Sequence, residues 1–295
     1  MEIKYLKTIE DPNSIITPID ASIRFPEILS SCQAKYSADI LLFKSLIAKA
    51  DSSADLLRAI RSTSFSGDQR MSLLKMFRRC VSPVLDTEMA KKITKVPTDN
   101  LIASLGHTFK PIEKLKSQFE SLSSDQESAL AALIGEYDTR GQLGYLLTGA
   151  FFDWFESHFK GEFTIEGPRG AGRDVELSTV FPEFKGTYPC DFIIRNALKN
   201  DVCAIGFARY DSTRGGAQSD DRTGGNSDKV NKAQEFNITS GAKFRLLFLS
   251  DGPGLAHKDT WEESCKLDGS WNGNVRVSTL KTASERISKE WLLGL

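Results

Sequence analysis

TYPCDFIIRNALKNDVCAIGFARYDSTRGGAQSDDRTGGN, residues 187–226, decides the fold. It reads as two short strands followed by a long polar loop. The first strand, DFIIR at 191–195, opens on an acid, Asp191, just after Pro189. ALKND is a tight turn of the sort that joins antiparallel strands. The second strand, Val202 to Tyr210, stays apolar until Arg209. Charge is costly at strand positions in a sheet covered on both faces. A strand charged only at its tip therefore delivers that charge to a site.

Working outward, FTIE at 163–166 predicts a strand, and GPRGAGRDVEL is a glycine-rich charged loop. After the polar loop, SDKVNKAQEFN (227–237) predicts a short amphipathic helix, and KFRLLFLS (243–250) a buried strand. A helix AHKDTWEESCKL, a strand VRVSTL (275–280) and a last helix ASERISKEWLLG complete the chain. Strand, helix, strand at this spacing is a crossover unit and implies parallel pairing in part of the sheet. Upstream, Ser124 followed by Glu127 fits a capping box, and apolar residues recur at helical spacing to Phe159. Phe151, Phe152, Trp154, Phe155 and Phe159 are most simply core packing against a sheet. The expected class is α/β, a mixed central sheet flanked by helices, preceded by a mainly helical N-terminal domain.

Composition bounds what such a chain does. Its 295 residues are 40% hydrophobic and 26% charged, as in an ordinary soluble protein, and the formal net charge of -1 does not announce a nucleic-acid binder. The first residues, MEIKYLKTIED, lack the apolar core of a signal peptide, and no apolar run approaches the roughly 20 residues that cross a bilayer. Five widely spaced cysteines without a C-x-x-C pair argue against a zinc knuckle and fit free thiols in a cytoplasmic protein. His107, His158 and His257 have no ligand spacing.

The N-terminal third begins with an irregular arm containing Pro12, Pro18 and Pro26. Helices are expected over 37–50, over ADLLRAIRS with Ser52 or Ser53 as cap, over 69–80 with Pro83 beyond its end, and over 86–95. Between Arg58 and Lys95 nine basic residues face only Asp68, Asp86 and Glu88. This local excess fits either a phosphate-contacting helical module or a solvated helical face. Arg70, Lys75, Arg78 and Arg79 are its candidate DNA contacts. A domain boundary is expected near residue 120.

An acid heading one hairpin strand and a cation ending the next suits metal-dependent phosphodiester hydrolysis, in which carboxylates hold Mg²⁺ and a nearby Lys or Arg orients the attacking group. The order helix, strand, Asp-bearing strand, charged strand end, helix, strand resembles the PD-(D/E)XK nuclease core. In that family a Pro-x(0–1)-Asp strand precedes a strand ending in acid-x-Lys. PCD matches the first half, with Asp191 as the implied metal ligand. IGFARY departs from the second half, with Phe207 where the family has the acid and Arg209 where it has Lys. The segment ARYDSTRGGAQSDDRTGG is similar to subunits of heteromeric type II restriction endonucleases that cut asymmetric sites. The resemblance covers roughly residues 125–295. It implies a 121–295 nuclease domain, a 1–120 DNA-recognition domain, double-stranded DNA as substrate, Mg²⁺ as cofactor and a second nuclease subunit, identical or different.

The acid missing at Phe207 needs a replacement. Glu176 is the first candidate, as metal ligand and catalytic residue, with Asp174 and Asp211 as alternatives. Arg209, charged at any working pH, acts as an electrostatic clamp and not as a proton acceptor. In the polar loop, Arg214, Gln218 and Arg222 suit base-edge reading in the major groove. The loop is no P-loop, since no Gly-Lys-Ser/Thr follows. Cys190 and Cys203 flank the site but have no histidine nearby in sequence, so a thiol nucleophile is not expected. The main rival reading is a non-catalytic DNA-binding protein on a degenerate nuclease fold. A third is an α/β enzyme that binds nucleotide or phosphate on the glycine loop.

Overall fold

The computed structural model describes residues 5–20, 23–136, 138, 141–212 and 218–295, with the backbone alone for 218–224. The chain divides into a helical unit, Ser22–Thr139, and a sheet-bearing unit, Met1–Ala21 with Arg140–Leu295.

Among the described residues, seven α-helices build the helical unit: α1 (Glu27–Lys49), α2 (Ser53–Ile60), α3 (Gly67–Cys80), α4 (Thr87–Lys91), α5 (Thr98–Leu105), α6 (Ile112–Glu120) and α7 (Ser124–Gly135). On α1, Tyr36, Ile40, Phe43 and Ile47 recur every three or four residues and form one buried stripe. They pack with Leu73, Leu74 and Phe77 of α3, Leu115 and Phe119 of α6, and Leu130, Ala131 and Ile134 of α7. Serine caps set three of the starts. Ser52 caps α2, and Ser66 with Gln69 forms a capping box on α3. On α7 the box is Ser123 with Gln126, one residue earlier than the Ser124–Glu127 pair. Because α7 buries its apolar stripe against α1, it belongs with the helical unit, and the division falls about twenty residues beyond residue 120.

The second unit is mixed α/β. Its strands are β1 (Phe163–Glu166), β2 (Val175–Glu176), β3 (Pro189–Cys190), β4 (Phe192–Asn196), β5 (Val202–Tyr210), β6 (Arg245–Asp251) and β7 (Val275–Ser278). Five of them form one sheet in the order β1-β4-β5-β6-β7. β1–β4 and β4–β5 pair antiparallel, while β5–β6 and β6–β7 pair parallel. The helices are α8 (Gln142–Phe159), α9 (Leu177–Val180), α10 (Gln218–Ser240), α11 (Lys258–Leu267), α12 (Ala283–Arg286) and α13 (Lys289–Leu293). α10 and α11 are the two crossovers that parallel pairing requires.

Both sheet faces are covered. On one, Phe151, Phe152, Phe155 and Phe159 of α8 pack on Phe192, Ile194 and Ala204, with Trp291 and Leu292 of α13. On the other, Val230, Ala233 and Phe236 of α10 pack on Ile193, Ile205, Phe207 and Phe248. α10 starts nine residues before the expected 227, so Gln218 and Arg222 lie on a helix and not in a loop. Once the apolar stripe docks α10 on the sheet, each further residue adds one backbone bond. That gain carries the helix through Gly224 and Gly225 despite their poor propensity.

The arm before residue 21 is strapped to this unit. The Leu6 amide donates to Asp268 at 2.9 Å and the Thr17 amide to Asp251 at 2.8 Å. Both carboxylates are buried. Asp251 also accepts from the amides of Gly252 and Leu280, and Asp268 from that of Val277 and from the guanidinium of Arg286.

Candidate active site

Strand alternation sorts the charged groups. Ile193 and Ile205 face α10, so Asp191, Phe207 and Arg209, at even spacing from them, share that face. Phe192 and Gly206 are paired across β4 and β5. One residue on, Asp191 lies across from Phe207. The Asp191 amide donates to the Gly206 carbonyl at 2.9 Å, and its Oδ2 accepts from the Ala208 amide at 2.8 Å. Two glycines make room. A Cβ on Gly206 would lie 1.9 Å from the Phe192 ring, and one on Gly167 2.3 Å from the Asp191 carbonyl oxygen.

A separate short ladder brings the second acid. β2 pairs Val175 with Cys190 and Glu176 with Pro189. The same register continued by one residue sets Asp174 across from Asp191, where antiparallel partners stand about 5 Å apart. The two carboxylates feel each other: burial raises the pKa of Asp191, and Asp174 raises it further. The Ala208 N–H and Lys229 oppose that rise. Asp174 is exposed, so it faces solvent as well as Asp191.

Glu176, the first expectation for the second acid, is placed differently. Its Oε2 accepts from the Tyr188 amide at 3.0 Å, across its own ladder. This bond closes the β2–β3 connection and engages one carboxylate oxygen with backbone. Asp211, the other alternative, takes the Nε–H of Arg209 at 2.6 Å. Arg209 is thus at the expected strand tip, 37% exposed, with the Nε–H of its guanidinium on Asp211.

Lys229 on α10 joins the site without having been expected from the sequence. Its Nζ lies 3.9 Å from the centroid of the Phe207 ring. Burial lowers its pKa and Arg209 lowers it further, while Asp191, Asp174 and Cys190 act in the opposite sense. A signal was present: Lys229, Ala233 and Phe236 fall at i, i+4 and i+7, placing a lysine on the apolar stripe of an amphipathic helix.

Of the two cysteines expected to flank the site, only Cys190 does; Cys203 lies on the opposite sheet face near the start of β5. The Cys190 thiol donates to the Val175 carbonyl at 3.0 Å, and burial, with Asp191, Asp174 and Glu176 around it, pushes its pKa up to about 12. Cys203 is buried in the sheet, and burial raises its pKa too. Neither supplies a thiolate at neutral pH.

Among the described residues no group of three His, Cys, Asp or Glu is placed to hold a metal ion. Mg²⁺ asks for less, since it binds through one or two carboxylates and keeps the rest of its shell as water and phosphate. Asp174 and Asp191 are a donor set of that kind.

The expected DNA contacts divide. Arg214 lies outside the described residues, as do the side chains of Gln218 and Arg222. Arg70 is only 9% exposed, and its guanidinium donates to the carbonyls of Ser62 and Phe65, so it fastens the α2–α3 turn and is not presented to phosphate. Lys75 pairs with Asp138 at 2.6 Å and Arg79 with Glu136 at 2.9 Å. Arg78 is exposed. Lys75, Arg78, Arg79 and Lys91 line one groove of about 390 Å³ in the helical unit, where Glu88 is the acid among the lining residues.

No family model, curated protein or solved structure matches the chain. Among the described residues no helix is long and apolar enough to cross a membrane.

Proposed function

We propose that the chain is a Mg²⁺-dependent site-specific DNA endonuclease of the type II restriction class, working in the cytoplasm with a second nuclease subunit. The observation that carries this reading is the cluster Asp174, Asp191, Lys229 and Arg209 at one end of the inner strands β4 and β5. The helix–three-strand meander–crossover–strand order of α8, β1, β4, β5, α10 and β6 supports a PD-(D/E)XK-type core, and the position of Asp191 at the head of β4 agrees with it.

Asp191 and Asp174 would hold the ion, which when bound supplies Lewis-acid activation of the phosphodiester. Asp174 is preferred to Glu176 in that role, because its charge acts on Asp191 while one Glu176 oxygen is engaged with the Tyr188 amide. Lys229, partly buried and cationic, provides the point charge that orients the attacked phosphate. Arg209 provides a second cation that binds phosphate and cannot take a proton. In the helical unit, Arg78 and Lys91 of the groove suit backbone phosphates, which give affinity without sequence information, while Lys75 and Arg79 are paired with Asp138 and Glu136. Cutting both strands takes two such sites, hence a second subunit.

The test is cleavage or nicking of plasmid DNA of diverse sequence with Mg²⁺, by the chain alone and with candidate partner subunits. Metal-dependent cutting lost in Asp191→Ala supports the reading; no cutting under any of these conditions overturns it. Phe207 at the acid position favours one other reading, a non-catalytic DNA-binding protein on a degenerate nuclease fold. In that case the wild type binds Mg²⁺ or Mn²⁺ no better than Asp191→Ala does.

A further inference from the structure

Lys229 arrives at the site on a long side chain from α10, and such a chain contributes its charge at one point only if something holds it. Phe207 lies directly below, with its ring centroid 3.9 Å from Nζ, well inside the distance at which a ring face attracts an ammonium. The ring is itself clamped. Tyr188 meets it edge-on at 5.8 Å, and Phe248 of β6 stacks beside it at 5.2 Å with a 23° interplanar angle. The same Tyr188 donates its hydroxyl to the main-chain carbonyl of Lys229 at 2.9 Å. One buried tyrosine therefore fixes both the ring and the helix turn that bears the lysine. Phe207 also lies across from Asp191, so the seat and the metal-binding acid are in register.

We propose that Phe207 is a positioning residue whose ring face seats the Lys229 ammonium beside Asp191, with Tyr188 holding seat and helix together. The inference rests on the nuclease reading for its catalytic purpose and on geometry alone for the seat. The physical advantage over a carboxylate at this position is specific. An acid would pair with Lys229 and neutralise it, whereas a ring attracts the cation by its quadrupole and leaves the N–H donors for a phosphate oxygen. The charged groups around the amine are Asp191 at the head of β4, Asp174 before β2 and Arg209 on β5, with the Cys190 thiol behind.

The experiment labels lysine with ¹³C in the full chain and follows the ε-methylene resonance of Lys229, assigned by its loss in Lys229→Arg. A methylene over a ring face is shifted upfield by the ring current. The expected result is an upfield Lys229 resonance in wild type that is kept in Phe207→Tyr and Phe207→Trp. In Phe207→Met, which has similar volume and no ring, it moves to the ordinary lysine position. An unshifted wild-type resonance, or one unchanged by Phe207→Met, overturns the proposal. The wild-type measurement and the aromatic variants decide the matter even if Phe207→Met fails to fold. In cleavage assays Phe207→Met should lower kcat about tenfold with KM nearly unchanged, and Phe207→Tyr should restore it. A shifted resonance in a protein that cuts no DNA leaves the seat in place and removes the nuclease reading instead.

Discussion

Asp174 stands across from Asp191, one residue beyond the pairing of Val175 with Cys190, and its charge raises the pKa of its neighbour. Two acids facing each other in this way repel unless something positive joins them. Lys229 offsets part of that repulsion, and a divalent cation would offset the rest.

This pairing separates two acids that lie only two residues apart in sequence. Asp174→Asn should lower Mg²⁺-dependent cleavage by about 100-fold or more, as loss of a metal-directed group does. Glu176→Gln should retain activity within a few-fold, because the amide oxygen still accepts from the Tyr188 N–H. Glu176→Ala should instead destabilise the fold by about 1 kcal/mol. Parallel plasmid assays and thermal melts of the three variants check the assignment; greater loss of cutting in Glu176→Gln than in Asp174→Asn would reverse it.

The raised pKa of Asp191 has a sign that can be measured. The folded chain binds a proton there more tightly than the unfolded chain, whose aspartates titrate near 3.8. Its contribution to stability is therefore fully present below 3.8 and is lost as pH rises through the raised value. Above that value the ionised carboxylate is destabilising. Asp191→Asn should raise the melting temperature at pH 7, by roughly 2–4 °C for each kcal/mol relieved, while abolishing cleavage. The gain should shrink as pH falls toward the unfolded value. A lower melting temperature at neutral pH would count against the electrostatic account.

Tyr188 links the connection closed by Glu176 to α10. Tyr188→Phe removes the hydroxyl donated to the Lys229 carbonyl and leaves the ring. A loss of about 1 kcal/mol in denaturant unfolding is expected, with a larger proportional loss in kcat than in KM.

In the helical unit the cations differ in what they do. Arg78→Ala and Lys91→Ala should weaken DNA binding uniformly across sequences and each reduce the salt slope by about 1. Arg70→Met should leave the slope unchanged and cost about 1.5–3 kcal/mol of stability, since the Ser62 and Phe65 carbonyls lose a charged donor. Fluorescence anisotropy at several salt concentrations, paired with thermal melts, tells the two classes apart.

Much of the architecture was legible in the residues themselves. The short runs at 163–166, 191–195, 202–210, 243–250 and 275–280 marked the five strands of the sheet to within two residues at each end, because burial on both faces forces largely apolar stretches. The spacing between the last three called for helical crossovers and parallel pairing. Asp191 and Arg209 were identifiable because each interrupts or ends an apolar strand. Local chemistry also set several helix starts, as at Ser52 and Ser66.

What sequence order could not decide is which side chains meet. Asp174 and Glu176 are equivalent as loop acids. Both lie on one face of a two-residue ladder, and only its register sets Asp174 opposite Asp191 and Glu176 one step further along, at the Tyr188 amide; that register depends on residues more than a dozen positions away. Lys229 is some twenty residues past Arg209, on another element, and reaches the site only because α10 docks across the sheet. Arg70 looks like its basic neighbours until the α2–α3 turn folds its carbonyls onto it. Strand and helix identity follow from periodicity, which is local. The composition of the site follows from register and docking, which are set by packing across the whole unit.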